Sequence, residues 1–312
     1  MRHKSPLLNF SATAISFICI LAMLLAPNAL GLLAPYLLFI SVFLIGIPHG
    51  AIDHVIAAEV YNVRQSVMRH ILFYASYLLI MLVIGLLWIY LPAVGMIFFL
   101  GISIYHFGQA DILSFTNKSG FVEHILYLSR GLLIIGLILF SFPQISLPIV
   151  AVAIQQPQDF FESWYSLGGD LALVSIAQHI IVLLLLARRT TFTVPFWRII
   201  ADTVIVASLL FFTHPLVGFA IYFALWHSVG HVREMLDFFA QKGKQVSLFD
   251  FYKLALPFTL ISLLGLLMLY GLVSVWTDLE YMIPLLFILI SVLTLPHMIV
   301  ADRMFHAGKV SN

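Results

Sequence analysis

Histidines in strongly apolar surroundings are the residues of this chain whose types and spacing could do chemistry. Four short motifs hold the most suggestive of the 12 histidines: Pro48–His54, Tyr105–Asp111, Trp226–His231 and Pro296–Asp302. His227 and His231 stand four residues apart, which places both side chains on one face of a helix, with Cβ atoms about 5–6 Å apart. Neutral imidazole is a common metal ligand, and a polar group at membrane depth is costly enough to indicate function. The motifs therefore predict a metal site, with His49 and His106 as further candidate ligands.

Three of these motifs also contain an acid four or five residues after the histidine. The pairs are Asp53 after His49, Asp111 after His106 and Asp302 after His297. A carboxylate at that distance suits a role behind a metal ligand, where it accepts the other ring N–H of a histidine and holds its tautomer. The same acids have a second interpretation as charges at the edge of a loop. His54 and His297 also keep two interpretations, as part of the site or as interfacial side chains.

The remaining polar residues in apolar segments have simpler expected roles. Six histidines lack a paired motif and are expected at the membrane interface: His3, His70, His124, His179, His214 and His306. Arg130 and Asp202 fall at similar predicted depth, and we expect them to pair as a structural salt bridge. Close helix approach is expected at four glycines near the motifs: Gly46, Gly50, Gly108 and Gly230.

The composition excludes a soluble chain. Hydrophobic residues make up 62% of the 312 residues and charged residues only 9%, against roughly a quarter charged in a globular domain. Most of the surface must therefore face lipid, so the lipid membrane is an expected partner. A net charge of +1 supplies no basic field for nucleic acid. The single cysteine, Cys19, excludes a thiolate metal cluster within the chain, so any metal must be held by nitrogen and oxygen.

Apolar stretches of about 20 residues, enough for one helical crossing of a bilayer, recur along the whole chain. We count about ten, at approximately 11–26, 30–49, 70–91, 94–113, 121–142, 170–187, 196–213, 215–233, 251–275 and 279–300. The apolar run 144–154 is too short to span and is expected to be re-entrant or interfacial. The predicted fold is an all-α, polytopic integral membrane helical bundle that forms a single transmembrane domain over residues 1–312.

The distribution of basic residues orients these spans, because Lys and Arg collect in cytoplasmic connections. Placing the N-terminus, with Arg2 and Lys4, inside puts nearly all of the 15 basic residues on one side. Both termini are then cytoplasmic, and the histidine motifs, which lie late in even-numbered spans, share a depth toward the cytoplasmic side. We expect a multi-pass protein of the cell (inner or plasma) membrane. In an alternative interpretation, Met1 to about Ala29 is a cleaved signal peptide.

Four segments, in the same order along the chain, resemble motifs of the bacteriorhodopsin-related-protein family of membrane β-carotene 15,15′-dioxygenases. They are Gly46–His54, Tyr105–Gly108 with Asp111, Trp226–His231, and Leu295–His297 with Asp302. The first and third are specific, and together the four cover nearly the whole chain. The resemblance implies a multi-helix membrane enzyme. Such an enzyme uses non-haem Fe(II) and O₂ to split the central double bond of β-carotene into two molecules of all-trans-retinal.

The resemblance also implies an iron site made by histidines alone. The positions that carry over are His49, His106, His227 and His231, while His54 and His297 match motif positions whose role stays open. The implied carotenoid is apolar and about as long as a bilayer core, about 30 Å, so it would enter laterally from the membrane. Imidazole ligands alone suit iron, copper or zinc. Fe(II) gains weight because the implied substrate has no hydrolysable bond.

Other functions stay open on the residues alone. A di-iron membrane hydroxylase or desaturase of carotenoids or lipids also gathers histidines, but it uses several histidine boxes where this chain has one, His227 to His231. Paired histidines could hold haem. A non-catalytic carotenoid- or metal-binding accessory protein, or a transporter, would use the same ligands without O₂. An intramembrane zinc protease is disfavoured, because the sequence contains no His-Glu-x-x-His motif.

Overall fold

The computed structural model describes residues 6–61, 66–116, 120–274 and 281–309, and the chain there is almost entirely helical. The helices are α1 (Pro6–Leu25), α2 (Pro27–Ser41), the π turn π1 (Val42–Gly46), α3 (Ile47–Ala51), α4 (Asp53–Val60), α5 (Val67–Tyr90), α6 (Pro92–Leu113), α7 (Phe121–Phe140), α8 (Pro143–Ala153), α9 (Gly168–Leu186), α10 (Phe196–Phe212), α11 (Pro215–Ile221), the π turn π2 (Tyr222–Ser228), α12 (Val229–Gln241), α13 (Leu248–Ser274) and α14 (Met282–Lys309). In these ranges the only strand-like pairing is one bridge between Thr116 and Phe192. The predicted all-α fold is confirmed. Predictions on Arg2, His3, Lys4 and the side chain of His306 lie outside the described residues.

By length and composition, eight helical runs in the described ranges could cross a membrane, which makes the chain a multi-pass membrane protein. They are Pro27–Val60, Val67–Tyr90, Pro92–Leu113, Phe121–Phe140, Glu162–Leu186, Pro215–Gln241, Leu248–Gly271 and Met282–Phe305. These correspond to eight of the predicted spans. The other two, 11–26 and 196–213, are the helices α1 and α10, of 20 and 17 residues. The count of ten and the cytoplasmic position of both termini stay predictions.

The second span extends beyond its predicted end. The pattern of apolar residues ended it at His49, whereas helical structure continues through α3 and α4 to Val60. Asp53, a polar residue beyond the apolar pattern, does not end the helical run. Its side chain is buried and hydrogen-bonded inside the protein. The eighth predicted span likewise continues past residue 233, to Gln241.

Prolines occupy the first position of several helices. Pro27, Pro92, Pro143 and Pro215 begin α2, α6, α8 and α11. A proline is tolerated there because the first N–H groups of a helix have no partner within the helix. Helix α8 is the apolar run predicted to be too short to span, and it is 11 residues long.

Large apolar side chains are exposed along α5 and α13. Examples are Ile71, Leu79 and Leu82 on α5 and Leu260, Leu264 and Met268 on α13. Such surfaces would be unfavourable in water and are compatible with lipid. The helical run Pro215–Gln241 is the opposite case, because most of its side chains are buried.

The chain folds into two compact units, each with a core of its own. The first comprises Met1–Val42, Leu100–Ala151 and Gln156–Gly230. One cluster of its core consists of Ile112, Phe115, Leu126, Tyr127, Leu183 and Ile199. Helices α6 and α7 cross at Gly108 and Gly131, where an added Cβ would collide with the backbone of Tyr127 and of Ile104. This close crossing fixes the part of α6 that carries His106.

The second unit comprises Phe43–Phe99, Val152–Gln155 and His231–Asn312. Its core is formed by Ile52, Val55, Ile56, Val232, Met235, Phe238, Phe239, Phe251, Val300 and Met304. The indole Nε1 of Trp88 donates to Ser291 Oγ at 3.0 Å, which joins α5 to α14. The prediction of a single transmembrane domain stays a prediction.

Candidate metal centre

Two buried histidines of the first unit face each other. His106 lies on α6 and is 3% exposed, and His227 lies in π2 and is 2% exposed. Their ring centroids are 4.9 Å apart and the rings are nearly perpendicular. Each offers a ring nitrogen within 4.8 Å of one on the other. Because imidazole nitrogens bind metals at about 2.0–2.1 Å, rings that share one ion have centroids about 5 Å apart, so this pair has the spacing of two ligands.

Aromatic side chains enclose the ring of His227. Phe107, the neighbour of His106 on α6, meets it edge-on with centroids 4.8 Å apart. Phe223, four residues earlier in the chain, stacks on it at 5.7 Å. These apolar rings restrict the rotamers of the imidazole and keep water from it, as a supporting shell around a metal ligand does.

A buried ionic network lies in the same unit. Arg130, 1% exposed, donates from Nε to Asp111 at 2.9 Å and from Nη2 to Asp202 at 2.7 Å. Its Nη1 donates to Thr203 Oγ1 at 3.1 Å, and the hydroxyl of Tyr222 reaches the other oxygen of Asp111 at 3.3 Å. The predicted pairing of Arg130 with Asp202 is confirmed. Asp111 was a candidate for holding the tautomer of His106. Its carboxylate accepts hydrogen bonds from Arg130 and Tyr222.

Three imidazoles gather in the second unit. His49 on α3, His231 on α12 and His297 on α14 are each at most 5% exposed. The ring centroids of His49 and His297 are 4.9 Å apart, those of His49 and His231 are 5.7 Å apart, and those of His231 and His297 are 5.8 Å apart. The near-equal sides describe a triangle of rings. His297, whose role the sequence left open, belongs to this group.

Asp53 supports one ring of this triangle. Its Oδ1 lies 2.9 Å from Nδ1 of His297 and accepts the proton of that nitrogen. Its Oδ2 accepts a hydrogen bond from the hydroxyl of Tyr77 at 3.0 Å. The carboxylate thus contacts a histidine, but this histidine is on a distant helix and is not the neighbouring His49 of its own motif. The support of a metal ligand by Asp53 stays a prediction.

One helical run carries a histidine of each group. Residues Pro215–Gln241 are helical without a break, and the division between the two units falls at Gly230 within this run. His227 and His231 lie four residues, or about one turn, apart on this run. The first of them lies in a π turn, and π1 likewise ends just before the helix that carries His49. Short π segments within α-helices are rare and are frequent at functional sites.

Two other candidate residues have different surroundings. The ring of His54 is half-buried, lies 3.1 Å from the carbonyl oxygen of Ala51 through Nδ1, and packs on Phe258. Asp302 is half-buried on α14 and is close enough to Tyr61 to affect its hydroxyl electrostatically.

Two predictions on single residues are wrong. His179 was expected at the interface, but its side chain is fully buried on α9, where Nδ1 forms a hydrogen bond of 2.7 Å with Ser129 Oγ. The Ser129 hydroxyl gives Nδ1 a partner inside the protein, so the side chain stays buried away from the interface. Gly230 was expected to allow close helix approach, but the space at its Cβ position is open. Gly108 does have that role.

Comparison with known proteins identifies the family. The family model described as beta-carotene 15,15′-dioxygenase matches residues 40–305, which contain all four histidine motifs. The chain belongs to this family. It is 26% identical over 276 residues to the beta-carotene 15,15′-dioxygenase of an uncultured marine bacterium (66A03), covering 86% of this chain and 94% of that protein.

A second relative agrees with this assignment. The chain is 27% identical over 291 residues to the probable beta-carotene 15,15′-dioxygenase Blh of Halobacterium salinarum, with 85% of this chain and 82% of that protein covered. No solved structure matches the chain. The resemblance drawn from the motifs is confirmed at the level of the family.

The donor set of this family member fits a borderline metal ion. Five buried imidazoles, His49, His106, His227, His231 and His297, are supplied without any thiolate. Nitrogen ligands of this kind suit iron, copper and zinc, whereas magnesium and calcium prefer oxygen. A carboxylate that holds a histidine through Nδ1, as Asp53 does, is typical of metal sites.

The sequence analysis missed two functional candidates and one contact of a third residue. Tyr77 and Tyr222 each hydrogen-bond the acid of a histidine motif, yet in sequence they are single tyrosines within apolar helices. Arg130, which was expected to pair with Asp202, also binds Asp111. The only available signal was the rarity of polar groups at membrane depth, and that signal does not name a partner.

Proposed function

We propose that this protein cleaves β-carotene at its central double bond with O₂ and releases two molecules of all-trans-retinal. The observation that carries the proposal is the family match over residues 40–305, together with buried imidazoles at all four matching motifs. The two relatives are named as beta-carotene 15,15′-dioxygenases, one of them as probable. The substrate class follows from the family, and the all-helical membrane architecture suits an apolar substrate that is dissolved in the bilayer.

We further propose that the cofactor is Fe(II), held by His49, His106, His227 and His231. Bound iron would supply the activation of O₂ for scission of an alkene, chemistry that side chains alone do not provide. The spacing within each unit supports this ligand set, since His106 with His227 and His49 with His231 have ring centroids 4.9 and 5.7 Å apart.

The residues of the chain then have distinct tasks. The imidazoles act as ligands in their neutral form, each through one ring nitrogen. Phe107 and Phe223 pack on the ring of His227 and exclude water from it. An apolar surface is also what a polyene can bind. The distribution of positive charges along the sequence supports a position of this site toward the cytoplasmic side of the cell membrane.

The test is expression of the unaltered chain in β-carotene-producing bacteria grown in air, followed by pigment extraction and chromatography. Retinal should accumulate with the unaltered chain and disappear with His231→Ala. His70→Ala is the matched control, because His70 lies at the start of α5 with its Nδ1 3.2 Å from the carbonyl oxygen of Ser66. It should leave retinal formation intact.

Other products would contradict the proposal in specific ways. Unchanged β-carotene in cells with verified expression and iron supply would point to another carotenoid or to a binding protein. A hydroxylated pigment would point to a hydroxylase. Apocarotenals of unequal length would show cleavage away from the centre of the polyene.

A further inference from the structure

Asp53 is a buried acid whose hydrogen-bonding partners are a tyrosine and a histidine. It is 3% exposed, and its two oxygens each meet one donor, Tyr77 at 3.0 Å and His297 at 2.9 Å. Lys244, just beyond the end of α12, pairs with Glu59 on α4 and not with this acid. The arrangement therefore differs from an ordinary buried salt bridge with lysine or arginine.

A buried carboxylate is costly unless its oxygens are hydrogen-bonded and its charge is compensated. The two donors meet the first requirement. They also fix geometry, because a carboxylate held by Tyr77 at one oxygen can accept the Nδ1 proton of His297 only in one ring orientation. That contact leaves Nε2 as the nitrogen of His297 that bears the lone pair when the ring is neutral.

The ring held in this way packs against a candidate ligand. His297 meets His49 edge-to-face, with an interplanar angle of 84° and centroids 4.9 Å apart. A Cβ added at Gly50, the next residue after His49, would lie 3.6 Å from Nδ1 of His297. The backbone of α3 and the ring of His49 therefore both rest on His297. Asp53 begins α4, directly after α3. The acid that binds His297 therefore lies only four residues after His49 in sequence.

We infer that Tyr77 and Asp53 are positioning residues that orient His297 and, through its ring, orient His49 in the metal centre. Three helices take part, since Tyr77 is on α5, Asp53 is on α4 and His297 is on α14. The inference rests on the proposed function for the identity of the site as a metal centre. It gives Tyr77 and His297 a supporting role beside the four histidines proposed as ligands.

The test is titration of the purified full-length protein in detergent with Co(II), whose visible absorption reports the number and geometry of its ligands. Asp53→Asn removes the charge and presents an NH₂ group in place of one oxygen. It should weaken Co(II) binding by roughly 10–100-fold, as is usual for residues that support a metal ligand. Tyr77→Phe should weaken it by a smaller factor. Both variants should shift the Co(II) absorption bands, a change that a purely structural role would not produce.

The matched controls are Tyr74→Phe and Asp237→Asn. Tyr74 lies one turn before Tyr77 on the same helix and makes ring contacts with Phe73 and Phe258. Asp237 is a half-buried acid on α12. Both controls should bind Co(II) with the affinity and spectrum of the unaltered chain.

The outcomes separate this inference from the proposed function. If the unaltered chain binds neither Co(II) nor Fe(II), the proposed iron centre is wrong and the positioning role falls with it. If the unaltered chain binds Co(II) and Tyr77→Phe gives the same affinity and spectrum, the positioning role is wrong while the metal centre stands. Tyr77→Phe decides even if Asp53→Asn fails to fold, because it removes only one hydroxyl group.

Discussion

Asp53 and Asp111 occupy similar positions in sequence and different environments in space. Each follows a buried histidine by four or five residues, and each is at most 5% exposed. In the first unit, Asp111 binds Arg130, which also binds Asp202. In the second unit, Asp53 binds the imidazole of His297 and the hydroxyl of Tyr77. One acid therefore pairs with a permanent cation, and the other supports a histidine.

The difference separates two functions of buried charge. An arginine is always protonated, so Asp111 and Asp202 share a cation whether or not a metal is bound. A histidine compensates an acid only when it is protonated or binds a cation. We therefore expect changes around Asp111 to act mainly on stability, and changes around Asp53 to act mainly on metal binding.

The largest effect is expected from removing a histidine of either unit. His49→Ala and His106→Ala should each abolish metal binding and retinal formation, because each is a proposed ligand of the same ion. Metal analysis of the purified protein and pigment chromatography measure the two effects, and His124→Ala serves as control. If one of the two variants kept its metal and its turnover, that histidine would not be a ligand of the iron.

Arg130→Met should have the next largest effect, and on stability. It leaves two acids, Asp111 and Asp202, without their cation in a buried site, which costs about 3–5 kcal/mol. Thermal unfolding in detergent, followed by circular dichroism, measures the loss. Arg198→Met is the control, because Arg198 is exposed beside Trp197. Unchanged stability of Arg130→Met would remove the contrast with Asp53.

Gly108→Ala should lower stability by about 1–3 kcal/mol, because its Cβ would push α6 away from the backbone of α7 at Tyr127. Gly101→Ala on the same helix is a sharp control. Space at Gly101 is open, so alanine there should raise stability by about 0.4–1 kcal/mol. Thermal unfolding of both variants checks the opposite signs. A loss of stability in both would mean that crowding at Tyr127 is not the cause.

The smallest effect is expected from Tyr222→Phe, which removes one hydrogen bond of 3.3 Å to Asp111. The expected loss is about 0.5–1.5 kcal/mol in unfolding free energy. Co(II) affinity should stay unchanged, in contrast with Tyr77→Phe. Equal effects of the two tyrosine variants on Co(II) binding would show that both acids support the metal in the same way.

Much of the helical architecture could be predicted from the sequence, because apolar length is a local property. Eight predicted spans correspond to long apolar helices. The boundary of the second span failed where a polar residue is buried, since the apolar pattern ended at His49, before Asp53. A burial that depends on Tyr77 and His297 is not visible within a window of about 20 residues.

The candidate site shows the same limit. Spacing predicted that His227 and His231 share a helix face, because that relation depends only on helix geometry. It could not predict that the partner of Asp53 lies 244 residues further along the chain. His297, whose role the motifs left open, is the histidine that this acid holds. The contact of His179 with Ser129 was equally hidden from the sequence.

The two π turns change how the faces of their helices must be assigned. A π turn contains one residue more than the α-helical turn it replaces, so it advances the angular position of every later residue by about 100°. A helical wheel drawn without interruption through Pro215–Gln241 therefore assigns the wrong face to the residues after Ser228. Deleting one residue other than His227 within Tyr222–Ser228 would restore the ordinary α-helical phase. It would turn the side chains before and after the deletion relative to each other, although every histidine would still be present in the sequence.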